Sequence, residues 1–313
     1  MQEYRVGIIG ATGMVGQRFT LLLKEHPWFK VTCVAASSRS AGKPYAEAVA
    51  GRWAFPGTPV PPAIGQLTVL DAADVESVAR QVDFVFCAVD MKKEEIRALE
   101  ERYAKAEVPV ISNNSANRHT PDVPMLIPEI NGAHAAVIEA QRRRLGTRAG
   151  FIAVKPNCSI QSYVPALWPL LDFEPKAVTV CTYQAISGAG KTFETWPEMI
   201  DNVIPYIGGE DEKSEREPLK IFGHVENGAI IDAASPVISA QCLRVAASDG
   251  HMAAVSVKFG RKPTREEILA RWDSCRPATL GLDLPSAPRK FLHYFEEPDR
   301  PQTRLDRDTE GGM

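Results

Sequence analysis

Between Tyr4 and Ser112 the chain repeats one pattern: a short apolar run, a turn, then an amphipathic stretch. Arg5 to Gly10, Val31 to Ala36, Leu67 to Leu70, Asp83 to Val89 and Val108 to Ser112 read as strands. The spacing predicts helices over about Met14 to Glu25, Val75 to Gln81 and Lys92 to Ala106, with an irregular Pro- and Gly-rich loop over Arg52 to Gly65. Strands apolar on both faces and joined by helices require a parallel sheet covered on both sides.

The first strand runs into Gly10-Ala-Thr-Gly-Met-Val-Gly16, which opens the first helix. Glycines there permit a tight turn, close backbone approach to a pyrophosphate, and tight helix–strand packing. Gly10, Thr12, Gly13, Met14, Val15 and Gly16 are therefore candidate nucleotide contacts. The second strand ends in Ser37-Ser38-Arg39, where an NAD-preferring site would carry an acidic residue. Arg39 with Ser37 and Ser38 suits a 2′-phosphate instead, so NADP is the expected cofactor.

From Ala177 the texture changes. Ala177 to Ala185, Ile238 to Arg244 and Met252 to Phe259 are β-rich, with helices expected near Phe193 to Asn202 and Arg265 to Cys275. The 313 residues accommodate both parts. The expected fold is α/β: a Rossmann-like parallel-sheet domain over 1–154 and an α+β domain over 155–313.

A net charge of −3 gives no reason to expect nucleic acid or an anionic membrane as partner. No apolar run reaches the length of a membrane span, and no secretory signal precedes the first strand. Cys33, Cys87, Cys181 and Cys242 lie in strand-like runs and read as small buried hydrophobes. The six cysteines include no C-x-x-C pair, so no structural metal site is expected, and the chain reads as a reduced, cytoplasmic protein.

Cys158 differs from the others. An apolar run, Phe151 to Val154, stops at Pro156, and Asn157 and Ser159 bracket the thiol before a helical pattern begins. Backbone N–H groups at a helix start favour a thiolate, so this sulfur is the candidate nucleophile. Pro165 should kink that helix or end its first turns.

Taken in order, Gly10-Ala-Thr-Gly-Met-Val-Gly16, Ser112-Asn-Asn-Ser-Ala-Asn-Arg118, Pro156-Asn-Cys-Ser159, Gln184-Ala-Ile-Ser-Gly-Ala-Gly190 and Arg244 with Gly250-His251 resemble the aspartate-semialdehyde dehydrogenase family. The branch is the one found in archaea, fungi and some bacteria, and the resemblance covers nearly the whole chain. It implies reversible, NADP-dependent reduction of an aspartyl phosphate to the semialdehyde through a thioester on Cys158. It also makes the second domain catalytic and dimerising, and implies a homodimer or homotetramer.

By the same resemblance His251 is the acid/base, and Gln184 orients the substrate beside the sulfur. Arg244 binds the α-carboxylate, while Arg118 contacts phosphate. Glu217 meets the ammonium, Lys220 the phosphate, and Asn157 completes the substrate site. Ser187 and Gly188 approach the nicotinamide. The charged segment Gly209 to Lys220 otherwise reads as a solvated loop. Family members continue past Glu310-Gly-Gly-Met313 into a further strand and a returning helix, so the chain is expected to be truncated.

Three alternatives stand beside this expectation. N-acetyl-γ-glutamyl-phosphate reductase shares the reaction, and malonyl-CoA reductase shares the branch. A non-catalytic NADP-binding regulator is the third.

Overall fold

A computed structural model describes residues 3–312. The chain forms two compact units. The first runs to Leu126 and adds Ala133–Lys155 and Val225–Ile230; the second takes Ile127–Gly132, Pro156–His224 and the described chain from Ile231.

In the first unit β1 (Tyr4–Ile9), β2 (Phe29–Ala36), β3 (Val69–Asp71), β4 (Phe84–Cys87), β5 (Val110–Ser112) and β6 (Ile152–Val154) form one sheet. Its order is β3-β2-β1-β4-β5-β6, with every neighbouring pair parallel. The order reverses direction at β1, which is where a doubly wound sheet leaves a crevice at its strand ends. Val6, Ile8, Val34 and Val69 are completely buried at its centre, as uniformly apolar strands require.

The second unit is built on β7 (Pro175–Gln184), β8 (Val203–Ile204), β11 (Val237–Val245) and β12 (Met252–Phe259). Between β8 and β11 in the sequence, β9 (His224–Glu226) and β10 (Ala229–Ile231) form a separate two-stranded sheet, most of which belongs to the first unit. The larger sheet has the order β12-β7-β11-β8; β7 and β11 are parallel, and the outer pairs are antiparallel. One face of β7 and β11 is buried, including Val178, Val180, Ile238 and Ala240. Alternation carries Gln184 and Arg244 onto that same face, directly opposite one another in the register.

Two expectations fail in this unit. The helix expected near Phe193 to Asn202 is reduced to a three-residue turn at Pro197–Met199. Thr192 and Thr195 hydrogen-bond each other's hydroxyls and backbone, and Pro197 has no N–H to continue a ladder. Conversely, the charged segment after Gly209 is not a solvated loop but a helix, Glu210–Ile221. Ser214, Glu217, Pro218 and Ile221 form its buried stripe.

That helix does two structural jobs. Its Asp211 and Glu215 carboxylates accept from the backbone N–H groups of Cys242 (2.9 Å) and Ala240 (3.2 Å), along the stretch of β11 that β8 leaves uncovered. Its internal Pro218 has no N–H for the carbonyl of Ser214, and the Tyr163 hydroxyl donates to that carbonyl instead, at 2.8 Å.

Candidate active site

The segment after β6 does not enter a long helix. It makes a three-residue turn at Ile160–Ser162, a four-residue helix at Val164–Leu167 with Pro165 in its first turn, and another turn over Trp168–Phe173. Pro165 thus breaks the helix as expected. With so little helix present, the dipole invoked for Cys158 is weak. The sulfur has a closer partner: Cys158 Sγ lies 3.2 Å from Nε2 of His251, a residue 93 positions away. The sulfur is half-buried, and all six cysteines are unpaired.

Both sides of the His251 ring are engaged. The backbone N–H of Ala185 donates to Nδ1 at 3.0 Å. An Nδ1 that accepts carries no proton, so the neutral ring holds its proton on Nε2, facing the sulfur. The carbonyl of the same Ala185 accepts from Nη1 of Arg244 at 2.7 Å. One residue just past the end of β7 therefore positions a candidate catalytic side chain, His251, and a candidate substrate-binding one, Arg244.

Arg244 is 6% exposed and pairs with no carboxylate among the described residues. Burial pulls its guanidinium below the ordinary range, while Cys158 and Glu210 oppose that. A buried guanidinium without an anion is a binding site for one. Gly188 borders it: a Cβ there would fall 2.8 Å from Arg244 Nη1 and 3.1 Å from His251 Cε1. Ser187, its neighbour, is half-buried.

Asn157 shapes the loop. Its backbone N–H donates to Glu217 Oε2 at 2.5 Å and its Nδ2 to Glu210 Oε2 at 2.9 Å, while its Oδ1 accepts from the backbone and hydroxyl of Ser159. Glu217 and Lys220 are 1% and 3% exposed. Glu217 thus sits under the cysteine loop. Gln184 Nε2 reaches Glu210 Oε2 at 3.3 Å, and Lys213 holds Oε1 at 2.6 Å.

In the first unit the glycine loop is held from behind. Tyr45 donates to the carbonyl of Ala11 at 2.9 Å, and Gln17 donates to those of Thr12 and Arg52. Gly10 has φ +85°, and a Cβ there would strike the Ala88 carbonyl at 2.3 Å. The helix Met14–Leu23 begins with Gly13, has no side-chain cap and has no acidic residue in its first turn. Met14 and Val15 form that turn, beside the buried Gly16. Ser37, Ser38 and Arg39 are exposed beyond β2, and Arg39 makes no ion pair among the described residues. An uncapped helix start and an unpaired guanidinium both fit an anionic nucleotide.

Arg118 belongs to this unit too. It is buried, donating to the carbonyls of Lys155 (3.0 Å) and Asn113 (3.4 Å). Its loop is organised by Glu100, a completely buried carboxylate that accepts from Ser112 Oγ, Asn114 Nδ2 and Asn117 Nδ2.

Residues 5–138 match the semialdehyde dehydrogenase NAD-binding domain, and residues 167–312 match the semialdehyde dehydrogenase dimerisation domain. The chain belongs to the semialdehyde dehydrogenase family. An aspartate-semialdehyde dehydrogenase of Archaeoglobus fulgidus is 44% identical, over 99% of this chain and 87% of that one. One from Schizosaccharomyces pombe is 42% identical, over 98% and 86%. The crystal structure of the Candida albicans aspartate-semialdehyde dehydrogenase with NADP superposes with a TM-score of 0.86 at 36% identity, over 98% of this chain and 86% of that one.

As a semialdehyde dehydrogenase, the chain brings Cys158, His251, Gln184, Arg244, Asn157 and Gly188 into one cluster within the second unit. Sequence reasoning missed Glu210, Glu100 and Ala185. Glu210 was legible in principle, since Glu210, Ser214, Glu217 and Ile221 recur at helical spacing within the charged run. Ala185 acts through its peptide group, which no side-chain motif records.

Proposed function

We propose that this chain is an aspartate-semialdehyde dehydrogenase that uses NADP to interconvert L-aspartyl 4-phosphate and L-aspartate 4-semialdehyde. The observation that carries this reading is the Cys158 sulfur in contact with His251, beside a buried Arg244 with no anion of its own. When bound, NADP supplies the hydride acceptor, and in its reduced form the hydride donor. Gly10, Thr12, Gly13, Met14, Val15 and Gly16 would hold its pyrophosphate side, and Ser37, Ser38 and Arg39 its 2′-phosphate.

In the oxidative direction the Cys158 thiolate attacks the aldehyde carbon, forming a C–S bond and an oxyanion. His251 Nε2–H first hydrogen-bonds the sulfur and then that oxyanion. Oxidation of the carbon leaves a thioester on Cys158. Phosphate attacks the thioester, the C–S bond breaks, and the acyl phosphate leaves with the thiolate restored. No proton has to be stored on His251 in this sequence, which suits a ring whose Nδ1 is occupied by the Ala185 N–H. The biosynthetic direction reverses each step. Arg244 holds the α-carboxylate through two parallel hydrogen bonds.

A second copy of the chain is the expected partner. The outer face of the larger sheet carries Thr179, Cys181 and Tyr183 on β7, Ser239, Gln241 and Leu243 on β11, and Ala254 and Ser256 on β12. These are uncharged and at least partly exposed, with Lys258 a charged group on the same face opposite Ala177, a composition suited to a two-fold contact. Unpaired cysteines accord with work in a reducing compartment.

The test is phosphate-dependent reduction of NADP with L-aspartate 4-semialdehyde, beside N-acetyl-L-glutamate 5-semialdehyde and malonate semialdehyde. Turnover of the first supports the reading. Turnover of either of the others, without the first, overturns it.

A further inference from the structure

Arg52 joins the two loops of the first unit that would face a dinucleotide's phosphates. Gln17 is 1% exposed, and its Nε2 donates to the carbonyl of Thr12 in the glycine loop at 2.9 Å and to that of Arg52 at 3.1 Å. Its Oε1 accepts from the backbone N–H of Ala54 at 2.8 Å. The backbone of Arg52 is thus fastened beside the glycine loop. Its side chain reaches the other way: Nε donates to the carbonyl of Ala48 at 2.9 Å, and Nη2 to the hydroxyl of Ser40 at 2.9 Å.

Ser40 closes the turn that follows β2. Its backbone N–H donates to the carbonyl of Ser37 at 2.9 Å, and the residue is 6% exposed. In a doubly wound nucleotide site the end of β2 is where the adenosine ribose presents its 2′ position. Ser37, Ser38 and Arg39 stand exposed on this turn. No side-chain hydrogen bond among the described residues orients Arg39, so it has to be ordered when an anion arrives. Arg52 is ordered already, by two acceptors that leave both N–H groups of Nη1 without a partner among the described residues. A fixed guanidinium with an unused edge, tied to the turn at the 2′ position, is preorganised for a phosphate.

We propose that Arg52 is a second guanidinium for the 2′-phosphate of NADP and, being already ordered, determines the preference for NADP over NAD more strongly than Arg39 does. Arg39 closes over the same group from the solvent side. This role rests on the NADP reading given above.

Adenosine 2′,5′-bisphosphate and 5′-AMP differ only in the 2′-phosphate. The ratio of their dissociation constants, measured by calorimetry on the full chain, isolates that group without any turnover. The wild type should bind the bisphosphate more tightly. Arg52→Gln should lower this preference by roughly 10- to 100-fold, the range for one lost hydrogen bond to a charged group. Arg39→Gln should lower it less. Arg52→Lys keeps the charge but loses the fork, and should fall between Arg52→Gln and the wild type. Binding of 5′-AMP reports on folding, because residue 52 meets Gln17 through its carbonyl, which survives substitution.

An unchanged preference in both Arg52 variants, or a larger fall in Arg39→Gln than in Arg52→Gln, overturns the assignment and leaves the NADP reading standing. Equal losses for the two nucleotides in Arg52→Gln overturn it as well, since the side chain would then only hold the loop. A wild type that does not distinguish the two nucleotides overturns the NADP reading itself, and the role of Arg52 falls with it.

Discussion

The backbone N–H of Ala185 points at Nδ1 of His251, 3.0 Å away, and leaves Nε2 to face the Cys158 sulfur at 3.2 Å. The ring is thereby set as a donor toward sulfur, because an Nδ1 that accepts cannot carry the proton. His251→Ala should therefore slow alkylation of Cys158 at neutral pH as well as turnover. Rate losses of about 10²- to 10³-fold are typical when one hydrogen-bond donor to a developing oxyanion is removed. Rapid-quench labelling and steady-state rates on one preparation check this. Unchanged alkylation in His251→Ala would show that the sulfur owes nothing to the imidazole.

The remaining thiols give an internal control. Burial pushes Cys33 up to about 12, and burial with Glu100 nearby pushes Cys87 still further upward. In the native protein both should resist a mild alkylating reagent that consumes Cys158, and should react only after denaturant is added. Peptide mapping at increasing reagent exposure reads the order directly.

Gly188 bounds Arg244 and His251, and a Cβ there would lie 2.8 Å from Arg244 Nη1. Arg244 cannot swing freely away, since it is buried and tied to the Ala185 carbonyl. Gly188→Ala should fold normally, because Gly188 has no left-handed backbone to strain. The expected change is a rise in KM for the semialdehyde of roughly 10-fold, the scale of one weakened hydrogen bond to a charged group. An unaltered KM would mean that the guanidinium has room to move.

Much of the first unit was legible because its strands are apolar on both faces, a pattern that only a covered parallel sheet satisfies. The site was legible where chemistry demands a particular side chain: Cys158, His251, Gln184 and Arg244 all lie in one cluster. The helix start behind Cys158 is weaker than the apolar pattern suggests, since Pro165 divides what would otherwise be a continuous apolar helix. In Glu210–Ile221 the density of charge conceals a buried stripe of Ser214, Glu217 and Ile221, so the sequence reads as a solvated loop where the chain forms a helix. The role of Ala185 was invisible, because peptide groups look alike in any sequence.

Pro218 and Tyr163 make a second pair that tests the fold itself. Proline deprives the Ser214 carbonyl of its helical partner, and the Tyr163 hydroxyl replaces it at 2.8 Å. Tyr163→Phe should destabilise the protein by about 1–3 kcal/mol, the cost of a buried acceptor left unmade. In a Pro218→Ala background the helix regains its own N–H, so the same change should cost less. Denaturant titration of the four proteins gives the coupling energy. Strict additivity would mean that the tyrosine and the proline act independently.

Glu210 predicts how the site responds to acid. Burial pushes its carboxyl upward, but hydrogen bonds and charge from Lys213, with Asn157 and Gln184, outweigh that and hold it below the ordinary carboxylate range. A depressed folded-state value means that the ionised form stabilises the fold. That contribution is complete above the unfolded-state value near pH 4.3 (about, for a free Glu) and is lost as pH falls through the lower folded-state value. Glu210→Gln removes the dependence. The stability gap between wild type and Glu210→Gln should therefore be constant at neutral pH and shrink below about pH 4. Thermal unfolding of both proteins across that window measures it. A gap that widens in acid would require a Glu210 carboxyl raised rather than lowered, with its proton retained between the two amides.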